Sequence, residues 1–109
     1  YKIKTVWGTD VLFSAANATR QGVLLTTMQK WFSAPEVLAM ATGRSGELLQ
    51  LSGRRNPYPG RLGIVQEGAL ADLLLVDGNP LEDLKLVEDP GKNFLVIMKD
   101  GKVFKNLVR

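Results

Sequence analysis

The sequence of 109 residues predicts an α/β fold, in which a helical segment (residues 1–61) precedes a β-rich segment (residues 62–109). Apolar residues recur at helical spacing in the first segment and form short unbroken runs in the second. A Pro- and Gly-rich stretch at residues 56–60 separates the two, as a linker does. The apolar share of 45% and charged share of 23% are ordinary for a globular chain, so we expect a packed core.

The helical segment opens with a predicted strand over residues 2–7, where polar and apolar residues alternate and β-branched and aromatic types are common. Gly8 and Thr9 end this strand and leave Asp10 at its carboxyl end. A helix is predicted over residues 17–32. Its apolar positions lie at helical spacing: Val23, Leu24, Met28, Trp31 and Phe32.

A second helix has a strong start signal, because Ser33 and Glu36 form a capping box and Pro35 falls in the first turn. Thr42 and Gly43 are expected to end it. Its predicted buried face consists of Val37, Leu38, Met40 and Ala41. A short third helix is predicted over residues 45–51, with leucines at positions 48, 49 and 51.

The β-rich segment contains two apolar runs, residues 73–76 and 94–98, that predict buried strands between turns. The pair Asp100-Gly101 predicts a type I′ hairpin, with the return strand starting at Val103 and Phe104. We also expect a strand at residues 62–65 and one helical turn within residues 81–87.

Two absences exclude whole classes of site. Without Cys the chain has no disulfide, zinc finger, iron–sulfur ligand set or thiol nucleophile. Without His it has no Ser–His or Cys–His catalytic pair and no histidine metal site. A metal bound by this chain alone would therefore need carboxylate ligands. No apolar run approaches the roughly 18 residues of a membrane span, so no membrane partner is expected.

Two aspartates are candidates for function. Asp10 follows the predicted first strand, and the carboxyl ends of strands hold ligands and metals in parallel α/β folds. The alternative for Asp10 is a helix cap or a turn residue. Asp72 precedes a predicted strand, and we expect its carboxylate to accept backbone N–H groups and fix the bend into that strand.

Arg54, Arg55 and Arg61 surround Tyr58 and raise the possibility of a phosphate or nucleic-acid site. The net charge is only +3 and no continuous basic stripe exists, which favours a solvated loop and no nucleic-acid partner.

The remaining motifs are interpreted as structural. The carboxylate pairs at residues 82–83 and 88–89 are expected to be solvated surface groups, because neither has a partner base. The apolar pairs at residues 31–32 and 37–38 are expected to form core rather than a ligand pocket.

Taken in order, these segments resemble the C-terminal portion of the amidohydrolase superfamily of metal-dependent hydrolases. The resemblance is closest to imidazolonepropionase-like and Xaa-Pro-dipeptidase-like members, and it covers nearly the whole chain. It is carried by residues 6–10 (VWGTD), 33–42 (SAPEVLAMAT), 60–81 (GRLGIVQEGALADLLLVDGNPL) and 96–103 (VIMKDGKV). Residues 43–46 (GRSG) depart from the Asn-Ala or Asn-Pro-Ala step of the family, and two glycines weaken a helix there.

The resemblance implies a C-terminal fragment of a (β/α)8 barrel followed by strands of a small composite β-sandwich. Residues 1–61 would be the last barrel strand with its helices, and residues 62–109 the sandwich part. It implies hydrolysis of C–N bonds (amide, peptide or cyclic amide) by a metal-activated water. Asp10 would ligate a divalent metal, with zinc favoured, and accept a proton from the attacking water, whereas Asp72 would be structural.

The family's histidine ligands would lie upstream, so the resemblance implies that this chain alone is inactive and binds no cofactor. The chain also opens at Tyr1 without an initiator Met, and we expect it to be cut from something longer. The substrate of the parent protein would be a small molecule or a peptide. No targeting segment is visible, which leaves the compartment open and favours the cytoplasm.

The alternative is a non-catalytic structural or binding module that self-associates. A barrel strand without neighbours would leave open edges and uncovered apolar faces, which favour a homo-oligomer. Residues 11–14 (VLFS) leave two options open, since they can contact substrate or pack as a loop.

Overall fold

The computed structural model describes residues 2–108 of the chain. Most of its helices lie before the linker, and a small antiparallel sheet with one short helix lies after it. The helices are α1 (Ala15–Ala18), α2 (Gln21–Thr26), α3 (Ala34–Ala41), α4 (Gly43–Gln50) and α5 (Pro90–Asn93). The strands are β1 (Leu73–Val76), β2 (Phe94–Lys99) and β3 (Lys102–Asn106), and 3-10 turns cover Thr27–Lys30, Gly53–Arg55 and Leu84–Glu88. Of the helices described, none is long and apolar enough to cross a membrane.

The sheet has the order β1-β2-β3, with both pairs antiparallel. Asp100 and Gly101 join β2 to β3 with φ angles of 49° and 74°. Two successive positive φ values define a type I′ turn, which matches the right-handed twist of the flanking strands. The strands at 73–76 and 94–98 and the hairpin are therefore confirmed. Their expected burial is wrong, because Leu74 and Leu75 are exposed and β2 is only partly buried.

Helix α3 begins where its capping box predicts. The Glu36 carboxylate accepts the backbone N–H of Ser33 at 2.9 Å and its hydroxyl at 2.6 Å. These bonds satisfy groups at the helix start that have no partner within the helix. Val37 and Met40 are completely buried, so the predicted inner face of this helix is confirmed.

The core joins the two segments of the chain. Its buried members are Leu25, Ala34, Val37, Met40, Leu84 and Val87. The turn Leu84–Glu88 crosses directly over α2, where a side chain on Gly22 would overlap the carbonyl of Val87. The expected helical turn within 81–87 is present one to three residues later, as Leu84–Glu88.

The strand predicted over residues 2–7 is wrong. A strand requires a neighbour for its hydrogen-bond ladder, and within residues 2–108 the strands all belong to the sheet of β1, β2 and β3. Residues 2–10 form neither a helix nor a strand.

The strand predicted at residues 62–65 is also wrong. Gly63 has a φ of 74° and lies directly against the Thr42 carbonyl, with no room for a Cβ atom. The chain therefore turns at Gly63 rather than extending.

The single helix predicted over 17–32 is broken into α1, α2 and a 3-10 turn. Arg20 leaves the helical region with φ −115° and ψ 25°. Hydroxyl groups at the breaks bond to nearby carbonyls, from Thr19 to Ala16 and from Thr27 to Leu24. Such local bonds compete with the regular helical pattern. Trp31 was expected in the core but is 70% exposed, whereas Phe32 packs against the core.

The third helix is present as α4, two residues earlier than predicted at its start and one at its end. Its Gly46 is buried against the Leu62 carbonyl, where a Cβ atom would overlap that oxygen. The leucines at 48, 49 and 51 are all exposed.

Candidate functional site

The segment that carries Asp10 is held mainly at Trp7. The Trp7 N–H donates to the carbonyl of Met40 at 3.2 Å, and the Trp7 side chain packs against the core. The Ser45 hydroxyl donates to the same Met40 carbonyl at 2.6 Å and lies 3.4 Å from the Trp7 carbonyl. An ion pair of Lys4 with Glu47 at 2.8 Å adds a second, exposed contact.

Asp10 itself is exposed and has a φ of 46°, in the left-handed region that non-glycine residues seldom adopt. It is not the cap of the next helix. That role belongs to Ser14, whose hydroxyl accepts the N–H of Asn17 at 3.3 Å at the start of α1. Among the residues that the structure describes, no hydrogen bond to the Asp10 carboxylate is found, so this group faces outward.

Residues 11–14 form a turn next to Asp10, closed by a bond from the Ser14 N–H to the Val11 carbonyl at 3.2 Å. Phe13 also has a positive φ, of 70°, and its side chain is fully exposed. Leu12 is 75% exposed. A packed loop is therefore wrong for Leu12 and Phe13, whereas contact with substrate stays a prediction.

A metal would need more than Asp10. Within residues 2–108, no three His, Cys, Asp or Glu side chains lie together in an arrangement that could hold a metal ion. A divalent metal in a hydrolase needs three protein ligands or more. The described residues therefore do not form a metal site by themselves, and Asp10 can supply one ligand at most.

Asp72 fastens the hairpin to the start of β1. One carboxylate oxygen accepts the N–H of Asp100 at 2.7 Å, and the other pairs with the Lys99 ammonium at 2.6 Å. The N–H of Gly101 donates to the Ala71 carbonyl at 3.0 Å beside it. This confirms that Asp72 accepts a backbone N–H, although the donor lies in the hairpin turn rather than in the adjacent chain.

These contacts shift the pKa values of both Asp72 and Lys99. The hydrogen bond from Lys99, with that from the Asp100 backbone, lowers the pKa of Asp72 below its ordinary value. The same bond raises the pKa of Lys99. The Lys99 ammonium also lies 5.8 Å from the centre of the Tyr58 ring, so the contact reaches the linker.

The arginines of the basic cluster are exposed on the surface. Arg54 and Arg55 belong to a short 3-10 turn, and Arg61 donates to the Gln66 side chain at 3.1 Å. The structure thus places Tyr58 near Lys99 and gives Arg61 a neutral amide partner.

The carboxylate pairs at residues 82–83 and 88–89 were expected to be only solvated, but three of these side chains accept hydrogen bonds. Asp83 and Asp89 each cap the element that follows, by accepting the N–H of Lys85 and Lys92. Glu88 accepts the hydroxyl of Thr26 at 2.6 Å. These aspartates are side-chain caps, for which Asp is a preferred residue.

An apolar cleft of about 420 Å³ lies between the helices and the sheet. Trp7, Leu25 and Leu38 line its helical side, and Leu74 and Phe94 line the sheet side. Asp10 does not border this cleft, so the cleft and the candidate carboxylate are separate features.

Ser45 is the residue at this site that reasoning from the sequence missed. The sequence placed it at the start of the predicted third helix and in a glycine-containing stretch that departs from the family pattern. Its acceptor Met40 and its neighbour Trp7 become visible only in the folded chain, because Trp7 lies 38 positions away.

No protein-family model and no curated protein matches the chain. Solved structures do match. The crystal structure of an amidohydrolase is 33% identical, with a TM-score of 0.70, over 84% of this chain and 20% of that protein. A prolidase crystallised with N-methylphosphonate-L-proline is 30% identical, with a TM-score of 0.65, over 81% of this chain and 20% of the prolidase. A structure described as an uncharacterized protein matches with 30% identity and a TM-score of 0.66, over the same shares.

The chain therefore spans about one fifth of the length of the structures that it matches. Over that length both the backbone and a third of the residues agree with the amidohydrolase. The resemblance seen in the sequence is confirmed, and the chain is amidohydrolase-like.

Proposed function

We propose that this chain is the C-terminal part of a metal-dependent amidohydrolase that hydrolyses C–N bonds with a metal-activated water. The observation that carries the proposal is the agreement with an amidohydrolase in structure and sequence over 84% of the chain. The complete protein would also contain the rest of the barrel. Its substrate would be a small molecule or a peptide, with an amide, peptide or cyclic amide bond.

In the proposed architecture, residues 6–10 occupy the place of the last strand of a (β/α)8 barrel, whose hydrogen-bond ladder needs neighbours that the described chain does not supply, and residues 62–109 belong to a composite β-sandwich. Two observations support this. Residues 2–10 lie free of any ladder within the described chain, and β1 and β3 each leave one edge unpaired there. Such edges are places where a further strand or a covering element can be added.

Asp10 is the carboxylate that this chain would contribute to the reaction. It is exposed, and it follows directly on the segment fixed at Trp7. A carboxylate placed beside an attacking water accepts its proton and raises its nucleophilicity. The other ligands would have to come from the rest of the complete protein, so this chain alone is expected to be inactive. Zinc is the metal that we favour.

The test is the rate of C–N bond hydrolysis by the complete protein carrying Asp10→Asn. We expect kcat/KM to fall by at least about 100-fold, because general base catalysis is worth about 100- to 10,000-fold. The matched control is Asp100→Asn, which removes an exposed carboxylate at a residue of nearly the same φ, in the hairpin. Asp100→Asn should keep the full rate, and undiminished activity in Asp10→Asn would refute the role.

A second function is favoured by a different observation. Many large apolar side chains are exposed on this chain, among them Ile3, Leu12, Phe13, Trp31, Leu51, Val65 and Phe104. We propose that the chain produced alone self-associates as a non-catalytic module. Light scattering of the isolated chain tests this self-association. We also propose that the complete protein is a homo-oligomer. The lack of a nucleic-acid partner and the cytoplasmic location stay predictions.

A further inference from the structure

We infer that Phe13, with Leu12 beside it, selects substrates that carry an apolar group next to the scissile C–N bond. The inference rests on the proposed function and names the class of substrate that its site would take. That class is amides, peptides or cyclic amides with an aliphatic or aromatic side group. Asp10 would act at the bond itself, and the two apolar side chains would contact the group beside it.

Residues 11–14 form a tight turn that is held by its own hydrogen bonds. The Ser14 N–H donates to the Val11 carbonyl at 3.2 Å. The Ser14 hydroxyl accepts the N–H of Asn17 at 3.3 Å, and its carbonyl accepts the N–H of Ala18 at 3.0 Å. All of these bonds join residues within a few positions of each other, so the shape of the turn is a local property of this chain.

Neither the backbone nor the core of the described chain accounts for an aromatic residue at position 13. Phe13 is the third residue of the turn and has a φ of 70°, where Gly or Asn is the usual residue. Its side chain is fully exposed within the described chain, so no burial there offsets the cost of that conformation. Residues held in such conformations are concentrated at active sites and ligand-binding segments. We therefore look for the partner of this ring at the proposed active site.

In the proposed architecture this turn lies at the mouth of the barrel. The active sites of (β/α)8 barrels are built from the loops that follow the strands, and residues 11–14 directly follow the segment that ends at Asp10. Phe13 is three residues beyond Asp10, so at most about 10 Å separates their Cα atoms. A side group next to a bond that reacts at Asp10 is therefore within reach of Leu12 and Phe13.

The chemistry of the two side chains favours one kind of substrate. Neither Leu12 nor Phe13 can form a side-chain hydrogen bond, so a polar side group placed against them would lose water without compensation. An aliphatic or aromatic side group would remove apolar surface from water on both partners. In an apolar pocket the difference of a single methylene changes kcat/KM by about 10- to 200-fold.

The first measurement tests whether Phe13 is open to ligand in the complete protein. Hydroxyl-radical footprinting without ligand is read by mass spectrometry at each phenylalanine. We expect Phe13 to be oxidised and Phe32, which packs against the core, to be protected. Protection of Phe13 as well would show that other loops of the complete protein cover it, and would overturn the inference.

The second measurement is the substrate preference of the complete protein. The probes are N-acetylated amino acids, dipeptides and cyclic dipeptides, each made as a pair with an isobutyl or a hydroxymethyl side group. We expect kcat/KM to favour the isobutyl member, and Phe13→Asn to reduce that preference by about 10-fold or more. Asn tolerates a positive φ, so the turn is kept. Phe13→Leu, which stays apolar, should retain the preference.

Trp31→Asn is the matched control, because Trp31 is also a largely exposed aromatic residue but lies far along the chain from Asp10. It should leave the preference unchanged. A preference for the hydroxymethyl member, or an isobutyl preference that survives Phe13→Asn, would overturn the inference. If Phe13→Asn does not fold, Phe13→Gly removes the ring at a φ that suits glycine and is judged by the same ratio.

Failure of the proposed function gives a different result. If the complete protein hydrolyses none of the probes, or if Asp10→Asn hydrolyses them at the full rate, the proposed function fails, and the inference that rests on it fails too. If hydrolysis depends on Asp10 but shows no preference for the isobutyl member, the proposed function stands and the role of Phe13 does not.

Discussion

Asp72 shows how one side chain ties together distant parts of this chain. It stands just before β1, and its two oxygens bind the backbone of Asp100 and the ammonium of Lys99, both at the far end of β2. Lys99 in turn lies over Tyr58 in the linker. Because this carboxylate accepts one bond from a backbone N–H and one from an ammonium group, it fixes the hairpin turn against residues 71–72.

The pKa shifts of this pair predict how stability depends on pH. The pKa of Asp72 is lowered from 3.8, so its contribution is present above that pH and is lost as the pH falls through the lowered value. The pKa of Lys99 is raised from 10.5, so its contribution is present below that pH and is lost as the pH rises through the raised value.

We therefore expect Asp72→Asn to lower the urea midpoint at neutral pH and to flatten its decline in acid. Asn keeps an acceptor for the Asp100 N–H but loses the charge that faces Lys99. Asp77→Asn is the control, because its carboxylate is exposed and its backbone N–H bond to Asn93 is retained. An identical pH profile for Asp72→Asn and the unaltered chain would show that the ion pair adds no stability.

The role of Asp72 could be predicted from its neighbours in the sequence, because an Asp before an apolar strand commonly accepts backbone N–H groups. The donor could not, since Asp100 lies 28 positions away. The same reason hid Ser45. Single residues are predictable where their partners are local. Asp100 and Trp7 lie far in the sequence from Asp72 and Ser45, so only folding brings them together.

Helix α4 shows, for a whole element, that a local sequence pattern does not reveal the surroundings of its residues. Its two glycines were expected to weaken it equally, but the structure gives them different surroundings. Gly46 is buried with the Leu62 carbonyl against it, and an added Cβ would overlap that oxygen. Gly43 has ordinary contact distances, with the nearest neighbour of an added Cβ at 3.5 Å on the Gly63 carbonyl.

We expect Gly46→Ala to reduce the free energy of unfolding by about 1–3 kcal/mol, since overpacking outweighs the gain in helix propensity. Gly43→Ala should be neutral or stabilising by up to about 1 kcal/mol. Urea unfolding of the two variants measures both values. A Gly46→Ala protein more stable than the unaltered chain would contradict the close approach of α4 and residue 62.

Elements with local signals were predicted well, and elements that depend on distant pairing were not. The capping box of α3 and the Asp-Gly turn of the hairpin each lie within a few residues of the structure that they specify. The alternating pattern at residues 2–7 fits a strand, but its formation depends on a neighbour. The left-handed φ of Gly63 likewise depends on the closeness of α3 to that glycine.

For the whole molecule, the sequence correctly indicated helices followed by a β-rich part, and the amidohydrolase resemblance. It did not show that both parts share one core, in which Leu84 and Val87 pack with Val37 and Met40. Apolar periodicity indicates which side chains are buried but not against which element they pack. The exposed apolar residues were also underestimated, as Trp31 shows.

That exposed surface predicts self-association of the chain produced alone. We expect light scattering to give a mass above the 12.0 kDa of one copy. Phe104→Lys should shift the distribution towards the monomer, because a charge on the edge strand β3 opposes strand pairing. Gln50→Lys, at an exposed polar position at the end of α4, is the control for charge alone. A stable monomer at all concentrations would contradict the prediction.

We propose above that Asp10 supplies a ligand to the metal of a complete amidohydrolase. A crystal structure of the complete protein grown with zinc, with the metal located by anomalous scattering, measures this directly. We expect an Asp10 carboxylate oxygen at about 2.0–2.2 Å from the metal. A bound metal in the barrel with Asp10 turned away from it, as an outward-facing turn residue, would show that Asp10 is not a ligand.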